Sequence, residues 1–335
     1  MKINLLAALA ALGMSGNALA YGDCILEDPQ GYTPVTQTAQ PTEGVIHIRA
    51  DTPKGTLIGQ ARSTVLYSPV TYVCYTEYLY ARRPFPHLPE KYPGQEGMYK
   101  TNIDGIAVKY VYSANGREGI LPVPEKMVYP DPGSEYIRVT ISQEQFIAYF
   151  YKVEDKVGLK TRYPNENIVL DRDPLMGQYF IENTLVLNYA IDPIIVVSTP
   201  VCTVDKPLPV DFNTVNATDV RNGVERPFEF GILCNTDYSN YDVTASIRAE
   251  KENEDSTRIK VKDNNGSYDS LVIEILDENN RTIKLNDLTE IPINNIKSGT
   301  KASFKWKAKL TKLSNKPYPA NGPFQASAII TLNIK

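Results

Sequence analysis

The sequence predicts an all-β protein made of two β-sandwich domains. Segments of about five to ten residues with alternating or β-rich patterns recur along the chain, and Pro, Gly, Asn and Asp separate them. Little of the chain has the 3.6-residue period of an amphipathic helix. The tyrosines are unevenly spread, since 18 of the 22 precede residue 200. This difference in composition indicates two regions of different character.

The first 20 residues have the pattern of a secretory signal peptide. Lys2 supplies a positive start, residues 5–12 are apolar, and Ala18, Leu19 and Ala20 form a small-residue cleavage site. The apolar run is too short to span a bilayer comfortably. We therefore expect cleavage, export through the periplasm and a mature chain of about 315 residues, a length that favours two domains.

Four cysteines fall into two well-separated pairs, Cys24 with Cys74 and Cys202 with Cys234. In an exported chain, an even count at such spacings indicates disulfides. Three connectivities are possible, and we favour the local pairing because each bridge then closes a loop inside one domain. No C-x-x-C motif or nearby histidine indicates a metal site, so we expect neither a metal nor a cofactor.

Charge and motifs argue against two classes of function. The net charge is −4, with charges of both signs mixed, so there is no basic footprint for nucleic acid. With 39 acidic residues, no carboxylate pair stands out, and the motifs G-x-S-x-G and H-E-x-x-H are absent. We expect a protein that is not an enzyme, and an exported glycoside-acting enzyme is kept as a remote alternative.

Pattern and turn residues predict strands in this order. In the first domain, residues 21–197, they are 45–49, 70–75, 106–112, 136–141, 145–152 and 179–189. Residues 198–201, which include Pro200, are predicted to be a short, stiff linker. In the second domain, residues 202–335, the predicted strands are 210–215, 226–234, 241–247, 270–276, 282–285, 302–310 and a terminal strand. About seven short strands suit an immunoglobulin-like sandwich.

The terminal stretch, residues 322–335, alternates with a period of two. Its apolar even positions are Phe324, Ala326, Ala328, Ile330, Leu332 and Ile334. One face of this strand should therefore be buried and the other solvated. A long half-apolar strand needs a partner, because an open edge is a template for aggregation.

Residues 202–335 resemble a bacterial fimbrial pilin module. Cys202 opens the domain, the turn Asp211-Phe212-x-x-Val215 follows, and Cys234 ends a strand that contains Pro227-x-x-Phe230. The terminal alternation matches the pilin C-terminal strand, with Ile334 in place of the usual aromatic residue. The whole chain is similar to the two-domain tip adhesins of chaperone–usher fimbriae.

This resemblance implies a second domain that is an incomplete immunoglobulin-like pilin fold lacking its last strand. A periplasmic chaperone would fill the open groove first. The adjacent pilus subunit would then replace the chaperone strand at the outer-membrane usher. The even residues from Phe324 to Ile334, together with Lys335, would contact these partners. In the expected mature chain, only Tyr21, Gly22 and Asp23 precede Cys24. We therefore expect a subunit that accepts a strand and donates none, at the extracellular tip of the fimbria.

The resemblance also implies a lectin-like first domain that attaches the bacterium to a host glycan, with a role in virulence. A tip adhesin for a protein receptor, from the matrix or a cell surface, is the alternative. Two segments supply the candidate ligand-binding residues: the Pro-rich loop 80–97 with Arg82, Arg83, His87 and Tyr92, and the segment 112–119 with Asn115, Arg117 and Glu118. The plain alternatives are a stiff surface crossover and a simple hairpin turn.

Overall fold

The computed structural model describes residues 24–65, 68–142, 144–160, 169, 173–180, 184–206 and 209–335. The predicted signal peptide and the three residues before Cys24 lie outside the described residues. The chain is all-β, as predicted. In the ranges just given, no helix is long and apolar enough to cross a membrane.

Fifteen strands are found among the described residues of the N-terminal part. They are β1 (Cys24–Asp28), β2 (Val35–Pro41), β3 (Val45–Arg49), β4 (Leu57–Arg62), β5 (Val70–Cys74), β6 (Tyr78–Pro84), β7 (Met98–Lys100), β8 (Ile106–Ala114), β9 (Arg117–Ile120), β10 (Val123–Val128), β11 (Ile137–Ile141), β12 (Glu144–Lys152), β13 (Met176–Phe180), β14 (Thr184–Ile191) and β15 (Ile195–Thr199). The strand orders are β1-β5-β11, β15-β3 and β10-β6-β13-β14-β2-β4-β12-β8-β7, with β9 beside β8.

In the C-terminal part, the ranges given above contain eight strands and one short helix. They are β16 (Val201–Val204), α1 (Ala217–Asn222), β17 (Val224–Asn235), β18 (Asn240–Ala249), β19 (Arg258–Val261), β20 (Leu271–Leu276), β21 (Ile291–Lys297), β22 (Lys301–Lys312) and β23 (Ala328–Ile334). They form two sheets, β16-β17-β22-β20-β19 and β21-β18-β23. Trp306 is buried in the core, 4.8 Å from the Phe230 ring in an edge-on contact.

Helix α1 is absent from the strand pattern predicted above. Asn216 caps it, accepting hydrogen bonds from the backbone N–H groups of Thr218 and Asp219, while the Asp219 carboxylate accepts from the Asn216 N–H. This capping box satisfies backbone donors that a helix start leaves unpaired. Asn216 and Asp219, three residues apart, are the local sequence signal of this helix start.

Both disulfides join neighbouring strands in register. Cys24 pairs with Cys74 across β1 and β5, and Cys202 pairs with Cys234 across β16 and β17. This is the local pairing that we favoured. Each bridge therefore ties the first strand of its part to a strand that also contributes to the core.

The two parts meet directly, with Pro200 alone between the ends of β15 and β16. At the junction, the buried carboxylate of Asp237 accepts hydrogen bonds from the Val157 N–H at 3.0 Å and from the Ser198 hydroxyl at 2.6 Å. The fully buried Lys152 ammonium lies 4.0 Å away. Asp237 therefore connects the C-terminal part to three residues of the N-terminal part.

Asp237→Ala is expected to destabilise the full chain by about 3–5 kcal/mol, because it leaves the Lys152 charge buried without its partner. Urea denaturation followed by circular dichroism measures this loss. The exposed Glu278 offers a control, and Glu278→Ala should stay within about 0.5 kcal/mol of the parent. A similar small effect for both variants would contradict the role of Asp237.

Candidate functional site

Strand β23 has one edge paired and the other edge open among the described residues. It pairs antiparallel with β18 from Ala328 opposite Ala249 to Ile334 opposite Val243, and it is the last strand in the order of its sheet. Beside it lies a groove of about 1190 Å³. This volume exceeds the ~300–1,000 Å³ typical of small-molecule sites, so the groove suits a larger occupant.

Core side chains form one part of the groove lining. Phe230, Ile247, Ile273 and Ile275 line it, and each is buried on folding. The segment 209–217 and the segment 318–328, which leads into β23, also line it. The hydrophobic core of the C-terminal part is therefore reachable from solvent along the groove.

The alternation predicted for the terminal stretch is present, over a shorter strand. Ile330 and Leu332 are half-buried and pack against the core, whereas Ile329 is 55% exposed. Phe324 lies ahead of the strand and packs on the core, its ring 6.4 Å from that of Phe212. Of the even positions, Ala326 and Ala328 line the groove, while Ile334 is 39% exposed.

The end of the chain is held to its neighbours. The backbone of Lys335 exchanges two hydrogen bonds with that of Asp242, at 2.9 and 3.1 Å. Its ammonium lies 2.7 Å from the Glu290 carboxylate, and this hydrogen bond is the main reason that the pKa of Glu290 is lowered. The anchored end holds the last residues of β23 beside β18, while Ala328 and Ile330 near its start line the groove.

This arrangement can bind an extended chain. The open edge of β23 offers backbone N–H and C=O groups in ladder spacing, and alternate side chains of an added strand would point towards Phe230 and Ile273. Covering the groove would remove apolar surface from water, at ~25 cal/mol per Å².

In the N-terminal part, the candidate Arg82 belongs to a buried ion pair. Its guanidinium is 2.9 Å from the Glu144 carboxylate and 3.1 Å from the Tyr189 hydroxyl, and it stacks 3.6 Å from the centre of the Tyr112 ring. Burial, and next the charge of Glu144, raise the pKa of Tyr189, so its hydroxyl donates to Glu144. Arg82 is 3% exposed and so does not face solvent.

The loop predicted over residues 80–97 begins later than expected. Tyr80 to Pro84 belong to β6, which pairs with β13 and β10. The charge of Arg82 can lie inside the sheet because the buried Glu144 neutralises it. Each remaining candidate has a partner within the chain. Arg83 forms a salt bridge with Glu125 (2.7 Å), His87 donates to the Pro174 carbonyl, and Tyr92 donates to Glu154 (2.9 Å).

The second candidate segment forms a two-residue hairpin turn between β8 and β9. Asn115 and Gly116 have φ angles of 50° and 76°, as a type I′ turn requires. Arg117 and Glu118 are exposed on β9, and Glu118 accepts a hydrogen bond from the Tyr149 hydroxyl at 3.1 Å. Tyr149 and its neighbour Arg62 lie on distant strands, so sequence reasoning did not associate them with Glu118.

Comparison with solved structures finds low identities. The receptor binding domain of the adhesin MrkD1P of Klebsiella pneumoniae is 13% identical with a TM-score of 0.37, over 53% of this chain and 96% of that one. The CupB6 tip adhesin from Pseudomonas aeruginosa is 13% identical with a TM-score of 0.32, over 93% and 95%. CfaE of enterotoxigenic Escherichia coli is 11% identical with a TM-score of 0.36, over 90% and 93%. Likenesses at this level carry no argument about function.

Comparison with curated protein sequences finds no match. A family model described as fimbrial protein matches residues 194–335. The match spans the C-terminal part with both its sheets and the open groove, and it confirms the resemblance to a fimbrial subunit there. Residues 194–335 of this chain are therefore similar to the fimbrial protein family.

Proposed function

We propose that this protein is the tip adhesin of a chaperone–usher fimbria. The observation that carries the proposal is the open apolar groove beside β23, in a region that matches the fimbrial family. The described strands of the N-terminal part have a hydrophobic core of their own. Such an adhesin needs one part that joins the fimbria and another part that binds the receptor. The C-terminal and N-terminal parts, each with its own hydrophobic core, suit these two roles.

In this proposal, the groove is filled twice during assembly. A periplasmic chaperone first adds a strand beside β23, and the adjacent subunit replaces it after delivery to the outer-membrane usher. Either strand would cover Ile330 and the buried residues that line the groove. The finished subunit would be extracellular, at the end of the fimbria.

The N-terminal part is proposed to bind a host glycan. Arg83, His87 and Tyr92 on one segment, and Asn115, Arg117 and Glu118 on the other, are the proposed contacts. Arg82 is better placed to support Tyr112 and β6 than to contact a ligand, because it is buried against Glu144. Screening the full chain on a glycan array tests this part.

A peptide of about twelve residues with apolar side chains at alternate positions is expected to bind the full chain. At 100 times its dissociation constant it should stabilise the C-terminal part by about 2.7 kcal/mol. The fluorescence of Trp306, the one tryptophan, follows unfolding in urea.

A control peptide has the same composition with its apolar residues clustered instead of alternating, so that no register directs them all towards the groove. Equal stabilisation by both peptides, or by neither, would contradict strand acceptance.

A further inference from the structure

The outer face of β12 carries a tyrosine that lies along the sheet. Phe146, Ala148 and Phe150 point into the hydrophobic core, so the alternating residues Ile147 and Tyr149 point the other way. Ile147 is nevertheless 0% exposed. A side chain on the outer face must therefore cover it.

The contacts of Tyr149 identify the cover. Its hydroxyl donates to Glu118, which is on the β8–β9 side of β12, and lies 3.5 Å from Arg62, which is on β4 at the other side. Arg62 is the register partner of Ile147. The hydroxyl therefore sits near the level of Ile147, and the ring extends along the strand over this isoleucine.

The Tyr149 ring is partly exposed to solvent, and the guanidinium carbon of Arg62 lies 6.0 Å from the ring centre. Tyr149 is only half-buried, while Ile147 and its partner Val111 are covered. Arg62 donates to the Gln60 amide oxygen at 3.1 Å, and Glu118 is exposed. The partly exposed ring is thus flanked by the planar polar groups of Arg62 and Glu118, with Gln60 beside Arg62.

The hydroxyl of Tyr149 is fixed as a donor. Burial, and then the hydrogen bond to Glu118, raise the pKa of Tyr149. The phenol donates to the Glu118 carboxylate at 3.1 Å and holds it beside the ring. The orientation of the ring is set before any ligand arrives.

We propose that this surface, the Tyr149 platform made of Tyr149, Arg62, Gln60 and Glu118, binds a neutral hexopyranoside. The apolar C–H face of a pyranose ring stacks on an aromatic face, and planar polar side chains pair with neighbouring hydroxyl groups. The inference rests on the proposed adhesin function, and it names the sugar class and the surface.

Charge favours a neutral sugar over an acidic one. The cation of Arg62 and the anion of Glu118 flank the same phenol oxygen. A carboxylate on the ligand would be attracted by the Arg62 cation and repelled by the Glu118 anion. Hydroxyl groups can donate to Glu118 and accept from Arg62 at once.

One candidate segment contributes Glu118 to the platform, and the other candidate segment lies beside it. Glu118 follows the Asn115–Gly116 turn by two residues. The end of the loop 80–97 lies against Ile120, which is 50% exposed next to the platform. The approach is close, since a Cβ added to Gly97 would lie 3.2 Å from the Ile120 Cγ2. Turn and loop are therefore placed to contact further units of a glycan.

The test is an array of neutral glucosides, galactosides and mannosides beside sialylated glycans, probed with the full chain. Tyr149→Ala is expected to weaken binding of the neutral ligand at least about tenfold, whereas Tyr149→Phe keeps the stacking face and should lose less. Tyr151→Ala is the matched control, since Tyr151 is half-buried on the same face of β12. Circular dichroism confirms that each variant folds.

Neutral-sugar binding that Tyr149→Ala removes and Tyr151→Ala leaves intact supports the platform. Unchanged binding in Tyr149→Ala overturns the platform and leaves glycan recognition standing. Binding confined to sialylated glycans overturns the proposed sugar class. If a folded chain that accepts the alternating peptide binds no glycan, the glycan receptor and the platform both fail, while strand acceptance stands.

Discussion

Replacing both Ile330 and Leu332 with aspartate is expected to prevent the C-terminal part from folding. Both side chains are half-buried against the core, opposite the buried residues Ile247 and Ala245 of β18. Each change should cost about 3 kcal/mol or more, from lost apolar burial and from a carboxylate brought towards the core. Since whole domains have only ~5–15 kcal/mol of stability, the pair should remove most of it.

The measurement is the fluorescence of Trp306 in the full chain, together with the yield of soluble protein in the periplasm. Ile329→Asp is the matched control, because Ile329 is 55% exposed on the same strand and is paired with Arg248. It should shift stability by no more than about 0.5 kcal/mol. A double variant that folds and takes up the alternating peptide as the parent does would contradict the role assigned to β23.

Glu144→Ala is expected to destabilise the N-terminal part by about 3–5 kcal/mol. The Arg82–Glu144 pair is almost wholly buried, with side-chain exposures of 4% and 3%. Removal of the carboxylate leaves the Arg82 charge without a counter-charge in the interior. Replacing both partners, with Arg82→Met and Glu144→Leu, should recover much of the loss, since no charge is then left buried.

The next residue of β6 supplies the control. Arg83 pairs with Glu125, whose side chain is 57% exposed, so Glu125→Ala should cost at most about 1 kcal/mol. Urea denaturation of the full chain, followed by circular dichroism, compares the variants. If Glu144→Ala and Glu125→Ala cost the same, Arg82 is not a buried structural charge, and its position among ligand-binding candidates would be restored.

Local patterns predicted much of the fold. The alternation in 302–310 and in the terminal stretch predicted β22 and β23, because a period of two depends only on neighbouring residues. The Asn115-Gly116 pair predicted the turn that joins β8 to β9, since both residues tolerate positive φ. The spacing of the cysteines led us to favour pairs that turn out to lie directly opposite each other on adjacent strands.

By itself, then, the sequence determined the all-β class, the alternation of the terminal strand and the resemblance to a fimbrial subunit. Tertiary structure alone decided that Arg82 is buried, because its counter-charge on Glu144 comes from a strand 62 residues away. It also placed Asp237 at the junction and joined Arg62, Glu118 and Tyr149 into one surface. Strand pairing brings together residues far apart in the chain, and no local period or turn signal records which partners will meet.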